Sequence, residues 1–167
     1  SGGGLFNAQG ELIGITNAGD EEDQNINYAV PLEIVRGVAD NIYHYAAGGD
    51  ASTNGAYIPS FGASYNAKNS RYVYDSASAS GKIVEDIEVR SVESGSVAAA
   101  LGLQAGDVIT SLTLGDAEYT LGRSYNIADI LLSARAGDAI SCTYTRGGES
   151  AESGSYTLSQ GDLASLA

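Results

Sequence analysis

By type, the side chains most able to do covalent chemistry in this chain are the serine at its head, its single histidine and its single cysteine. The opening reads "SGGGLFNAQGELIG". A serine hydroxyl becomes a nucleophile only when a neighbouring base takes its proton. Glycines beside it let backbone close on a substrate and aim amides at the oxyanion that develops. Ser-Gly-Gly-Gly therefore reads in two ways: as a flexible tag, or as an acyl-transfer site cut open at its nucleophile, Ser1. His44 cannot supply the base, because the helical spacing before it makes it an exposed residue at a helix end. Cys142, in "AISCTYT", alternates with Ile140 and Tyr144 on one strand face and reads as core filler. With one cysteine, no intrachain disulfide can form. The acidic run "DEEDQN" from Asp20 to Asn25 lacks the carboxylate spacing of a calcium loop and reads as a solvated loop. Neither a metal nor a cofactor is expected.

Composition narrows the partners. The 167 residues carry a net charge of −13, which makes a nucleic acid or an anionic lipid surface a repulsive partner. Apolar residues make up 43%, enough for a globular core, while charged residues are only 17%. With 22 glycines and no Met or Trp, the chain reads as turn-rich and β-containing rather than as a helical bundle. It has no apolar run of about eighteen residues, the length a spanning helix needs.

The elements follow from periodicity. Leu5-Phe6, "ELIGIT" (11–16) and "NINYAV" (25–30) read as short strands, with a turn at "NAQGE". Pro31 suits the first position of a helix over 31–45, whose apolar face is Leu32, Val35, Val38, Ala39 and Ile42. "AAGGDASTNG" is linker-like. Beyond it, 56–65 and 83–92 read as strands, and 66–82 as holding a loop, with room for a small hairpin. Ser96 can cap a short Ala-rich helix that Gly102 ends. A strand at 108–112, a helix at 124–134 and a closing hairpin around Gly147-Gly148 follow. Two turns are built alike, "LQAGDVI" and "ARAGDAI". The expected core includes Ile109, Ile130, Leu131 and Ile140.

The run "ESGSVAAALGLQAGDVITSL", with the order of elements around it, resembles the circularly permuted PDZ domain of bacterial proteases. The opening "SGGGLFNAQGELIGITNA…INYAVPLEIVRGV" is similar to the end of the protease domain of the HtrA (Do/Deg-like) trypsin-type serine proteases, from the nucleophilic serine through the hairpin, the Pro-ended strand and the C-terminal helix. Gly4 stands where that family usually has Pro.

The resemblance implies a mainly β, α+β chain: a protease-domain remnant at 1–45, a linker at 46–55, a PDZ domain at 56–160 and a weakly docked tail at 161–167. It implies that Ser1 is the nucleophile, with its His and Asp upstream, so that this chain alone is inactive. It places the carboxylate-binding loop at "SFGA", where the amides of Phe61, Gly62 and Ala63 would hold a peptide C-terminus, and a pocket wall at Ile127, Ile130 and Leu131. Partners would then be peptides or unfolded proteins with apolar C-termini, and residues 1–45, short of barrel partners, would self-associate. An extracytoplasmic location with a membrane anchor upstream is also implied. The alternative is a non-catalytic PDZ module whose protease half is degenerate or absent.

Overall fold

The computed structural model describes residues 2–19, 27–47, 57–77 and 79–165. It divides into two compact units, Ser1–Tyr57 (with the terminal Ala167) and Ile58–Leu166. The chain is mainly β. Among the described residues, no helix is long and apolar enough to cross a membrane.

In the first unit, β1 (Gly4–Phe6), β2 (Leu12–Gly19) and β3 (Asn27–Pro31) form an antiparallel sheet in the order β1-β2-β3. The β1–β2 turn is fixed by Asn7, whose Oδ1 accepts from the amides of Gln9 (3.0 Å) and Glu11 (2.9 Å). The glycine run is tied down: Gly2 N donates to Thr16 O at 2.6 Å, and Thr16 N donates to Gly3 O at 2.8 Å. Helix α1 spans Leu32–Ala47, so Pro31 ends β3 instead of opening the helix. Among its described positions Asn41 and Tyr45 are buried, whereas Ile42, expected on the apolar face, is exposed. Asn41 explains this rotation. Its amide group brackets Tyr57, donating to Tyr57 O at 2.6 Å and accepting from Tyr57 N at 2.9 Å. The Tyr45 and Tyr57 rings meet edge-on at 5.2 Å.

The second unit centres on a sheet ordered β10-β9-β7-β6-β5, built from β5 (Ala63–Asp75), β6 (Ser80–Val92), β7 (Val108–Leu114), β9 (Ala139–Arg146) and β10 (Glu149–Glu152). Between β3 and β5 lies β4 (Tyr57–Pro59), and between β7 and β9 lies β8 (Ala117–Thr120), which pairs with β7. Two short helices cover the core: α2 (Val97–Ala100) and α3 (Asn126–Leu131). Strand alternation holds as expected on β9, where Ile140, Cys142 and Tyr144 are all buried. Ser96 caps α2, its Oγ accepting from Ala99 N at 3.2 Å.

In the second unit three expectations change. Residues 66–75 and 80–82 belong to the outer halves of β5 and β6, a long antiparallel pair with a bulge between Lys68 and Arg71. Its side chains are exposed on both faces, so the hydrophobic alternation that marks a half-buried strand is missing. Helix α3 is shorter than 124–134, because past Leu131 the backbone tightens into i→i−3 bonds, Ser133 N to Ile130 O (3.0 Å) and Ala134 N to Leu131 O (3.1 Å). Over its described residues, the segment expected as a weakly docked tail forms a 3-10 turn (Gln160–Asp162) and β12 (Leu163–Ser165), which pairs with β4. Asp162 holds this segment: its Oδ2 accepts from Ser159 N and Ser159 Oγ, both at 2.7 Å, and from Tyr156 Oη at 3.1 Å. Just before it, β11 (Tyr156–Thr157) pairs with β9, and Leu158 is buried.

The two matched turns do form the same structure. Gly106 and Gly137 take φ of +94° and +98°. In each turn the following aspartate accepts a backbone amide three residues back, Gln104 N to Asp107 Oδ2 at 2.7 Å and Arg135 N to Asp138 Oδ2 at 2.8 Å. Asp107 is additionally buried and held by Arg146 through two bonds of 2.7 and 2.8 Å. The guanidinium keeps the Asp107 carboxyl below the usual carboxylate range.

Candidate peptide-binding groove

The loop from Ser60 to Ala63 is gripped by its neighbours. Ser60 N donates to Asp162 O at 2.8 Å. Phe61 O accepts from Ala98 N at 2.9 Å, at the start of α2. Gly62 O accepts from Glu93 N at 2.8 Å and from Ser96 Oγ at 3.3 Å. Ser96 Oγ also donates to Glu93 O at 2.7 Å, which closes the cluster. Gly62 is required here twice over. Its φ is +70°, and a Cβ on it would overlap Ser96 Cβ.

This bonding consumes the carbonyls of Phe61 and Gly62 and spares their amides. Among the described residues, the amides of Phe61 and Gly62 have no hydrogen-bond acceptor. The amide of Ala63 is spared by register. Ala63 lies opposite Val92, and the bond from Glu93 N to Gly62 O makes that couple a non-hydrogen-bonded pair. In such a pair the amide and carbonyl of each residue point away from the partner strand. Ala63 therefore presents both to the open side of β5, which ends the sheet.

A cavity of about 300 Å³ opens at this loop. Phe61, Gly62 and Ala63 line it together with Ile127 and Leu131 of α3 and Tyr65 of β5. The loop and the helix wall expected from the sequence, more than sixty residues apart, thus meet in one cavity. Ile130 does not join them. It is half-buried against the core and lines a different cavity, of about 390 Å³, with Val84, Tyr119 and Tyr125. The helical rotation that points Ile127 and Leu131 at the groove turns Ile130 away from it. Tyr65 was not anticipated as a wall residue. Its ring lies 6.5 Å from that of Phe61, and burial pushes its phenol well above the ordinary range. Ser96, Glu93 and Asp162, which fix the loop, were not anticipated either, since nothing in local spacing links them to it.

Ser1, the expected nucleophile, lies outside the described residues, as do the acidic run from Asp20 and most of the expected linker. His44 is exposed on α1, its ring edge-on to Tyr45 at 4.8 Å. Cys142 is buried, and desolvation raises its thiol above the ordinary range, so it is not a reactive thiolate.

No family model matches the chain. Known proteins do. The "Serine protease Do-like HtrA" of Lactococcus lactis subsp. lactis (strain IL1403) is 32% identical over 158 residues, covering 90% of this chain and 36% of the relative. Its counterpart from Lactococcus lactis subsp. cremoris (strain MG1363) is 31% identical over 159 residues. Over most of its length the chain is similar to one part of these HtrA serine proteases. It spans about a third of the length of the curated HtrA relatives it matches, 36% in each case. Among solved structures, the "HtrA-type protease AlgW with tripeptide" superposes with a TM-score of 0.59 at 22% identity, over 99% of this chain and 50% of that one. The same HtrA-type protease with a decapeptide gives 0.56 at 23% identity. These likenesses bear on fold, and they agree with a mainly β chain of PDZ-like architecture.

Proposed function

We propose that the second unit is a peptide-capture module that takes the free C-terminus of an extended chain, within a longer protein that is an HtrA-like serine endopeptidase with Ser1 as nucleophile. One observation carries the capture reading: the amides of Phe61, Gly62 and Ala63 stand free at the mouth of an apolar cavity, at the start of an edge strand. A carboxylate fits such a nest of amides. The preceding peptide backbone fits the open edge of β5, by strand addition. The terminal side chain enters between Phe61, Ile127 and Leu131, which favours apolar residues there. Delivery or regulation of substrate proteolysis is the role such capture would serve in the whole protein.

Affinity should be modest, on the order of 10⁻⁶–10⁻⁴ M, because a short peptide must be ordered to make a small interface. The test is isothermal titration with a peptide ending in Val, as the free acid and as the amide. The free acid should bind and the amide should not; equal binding would remove the carboxylate role of the loop. Catalysis is proposed for the longer protein only. A serine without its base is a weak nucleophile, and His44 is the one histidine in these 167 residues.

A further inference from the structure

The groove carries a charge that works against its proposed ligand. Glu93 is the one charged residue that lines the cavity. Its Oε2 stands 3.5 Å from where a Cβ on Gly62 would be, beside the amides that would receive a carboxylate. No lysine or arginine lines the cavity among the described residues. The basic side chain tied to the same end of β5 is Arg90, whose Nε donates to Ser64 Oγ at 3.3 Å, and it stands outside the lining. The Glu93 side chain makes no hydrogen bond or ion pair with any described residue, so the fold does not explain its charge there. Two like charges roughly 5 Å apart lower affinity about fourfold even at the dielectric of water, and by more where the groove excludes water.

Resting on the capture reading, we propose that Glu93 is a specificity-determining residue of this groove, selecting C-termini whose penultimate residue is Lys or Arg. Alternation along an extended peptide puts the terminal side chain into the cavity and the penultimate one on the opposite face, outside it. Glu93 is exposed although it lines the cavity, so a long cationic side chain that curls back over the rim reaches its carboxylate. A long cationic side chain there neutralises Glu93 and removes the repulsion felt by the terminal carboxylate. A neutral residue leaves the repulsion in place, and an acidic one adds to it.

The test uses the full 167-residue chain and fluorescence anisotropy at low salt. The probes are acetylated hexapeptides ending in Ala-Lys-Val, Ala-Ala-Val and Ala-Glu-Val, each as free acid and as amide. For the native chain the Lys peptide binds tightest and the Glu peptide weakest, and added salt narrows the spread. Glu93→Gln tightens the Ala peptide about fourfold and erases the Lys advantage. Glu93→Asp keeps the order, and melting curves confirm that both variants stay folded. A ranking that Glu93→Gln leaves unchanged overturns the proposal while the carboxylate groove stands, and so does a Glu peptide that binds best, which would assign control to Arg90. Equal binding of acids and amides, or no binding at all, overturns the groove reading and the role of Glu93 with it.

Discussion

Gly62 combines a left-handed backbone with a contact that admits no side chain. Gly62→Ala must therefore strain φ or push Ser96 aside, and Ser96 is the residue that caps α2 and closes the loop. The expected cost is about 1–3 kcal/mol, seen as a lower melting temperature, together with loss of binding to free-acid peptides. Retained binding would show that the loop is more adaptable than its bonding suggests. Asp107 is the other residue with a sharp consequence, this time in pH. Its folded-state pKa is lowered, chiefly by the hydrogen bonds from Arg146. The unfolded state therefore binds the proton more readily, and the stabilisation is complete above the ordinary aspartate pKa and is lost as pH falls through the lowered folded value. Melting temperature should drop below about pH 4 in the native chain. In Asp107→Asn, already less stable at pH 7, this part of the acid dependence should be gone.

At the scale of elements, the segment after Leu158 is a brace for the groove. Asp162 O receives Ser60 N, and β12 pairs with β4 just before the loop. Ending the chain after Ser159 removes both supports. Peptide affinity should fall while much of the fold persists, because the main sheet does not include β12; titration alongside melting separates the two effects. The core strands and the groove helix also differ in what they tolerate. Ile140 is fully buried in β9, so Ile140→Ala should cost about 2–5 kcal/mol. Ile130, half-buried at the edge of the core, should cost clearly less on truncation and leave peptide binding intact. Equal losses at both positions in thermal melts would contradict this ranking.

At the scale of the whole molecule, the first unit leaves Leu5, Phe6, Ile13, Tyr28, Ile42 and Tyr43 exposed on a small three-stranded sheet and one helix. A sheet this small is barely stable without cover. We propose that residues 1–45 self-associate, since identical open edges are self-complementary. Light scattering should give a dimer or larger for the full chain, and a monomer for a chain starting at Ile58. A monomeric mass for the full chain at tens of micromolar would sink this. The same preparation should not cleave unfolded casein.

The sequence by itself determined what is local. Glycines with positive φ, the Ser96 cap, the paired AGD turns and the apolar alternation of β9 each arise from a few neighbouring residues, and all were legible before any fold was known. So was the resemblance that pointed to a carboxylate-binding loop at Phe61, Gly62 and Ala63. Tertiary structure decided the rest. The outer halves of β5 and β6 are exposed on both faces, Tyr72, Val73 and Tyr74 included, so only pairing between the two strands makes them strand. The tail is ordered by Asp162 reaching Tyr156 and Ser60, contacts that no spacing rule announces. Ile127 and Ile130 are equally apolar and three residues apart, yet one faces the groove and the other a separate cavity. Periodicity says which residues share a helix face, but which of them faces the groove is set by how the helix docks on the sheet, a packing decision made by residues far away in the chain.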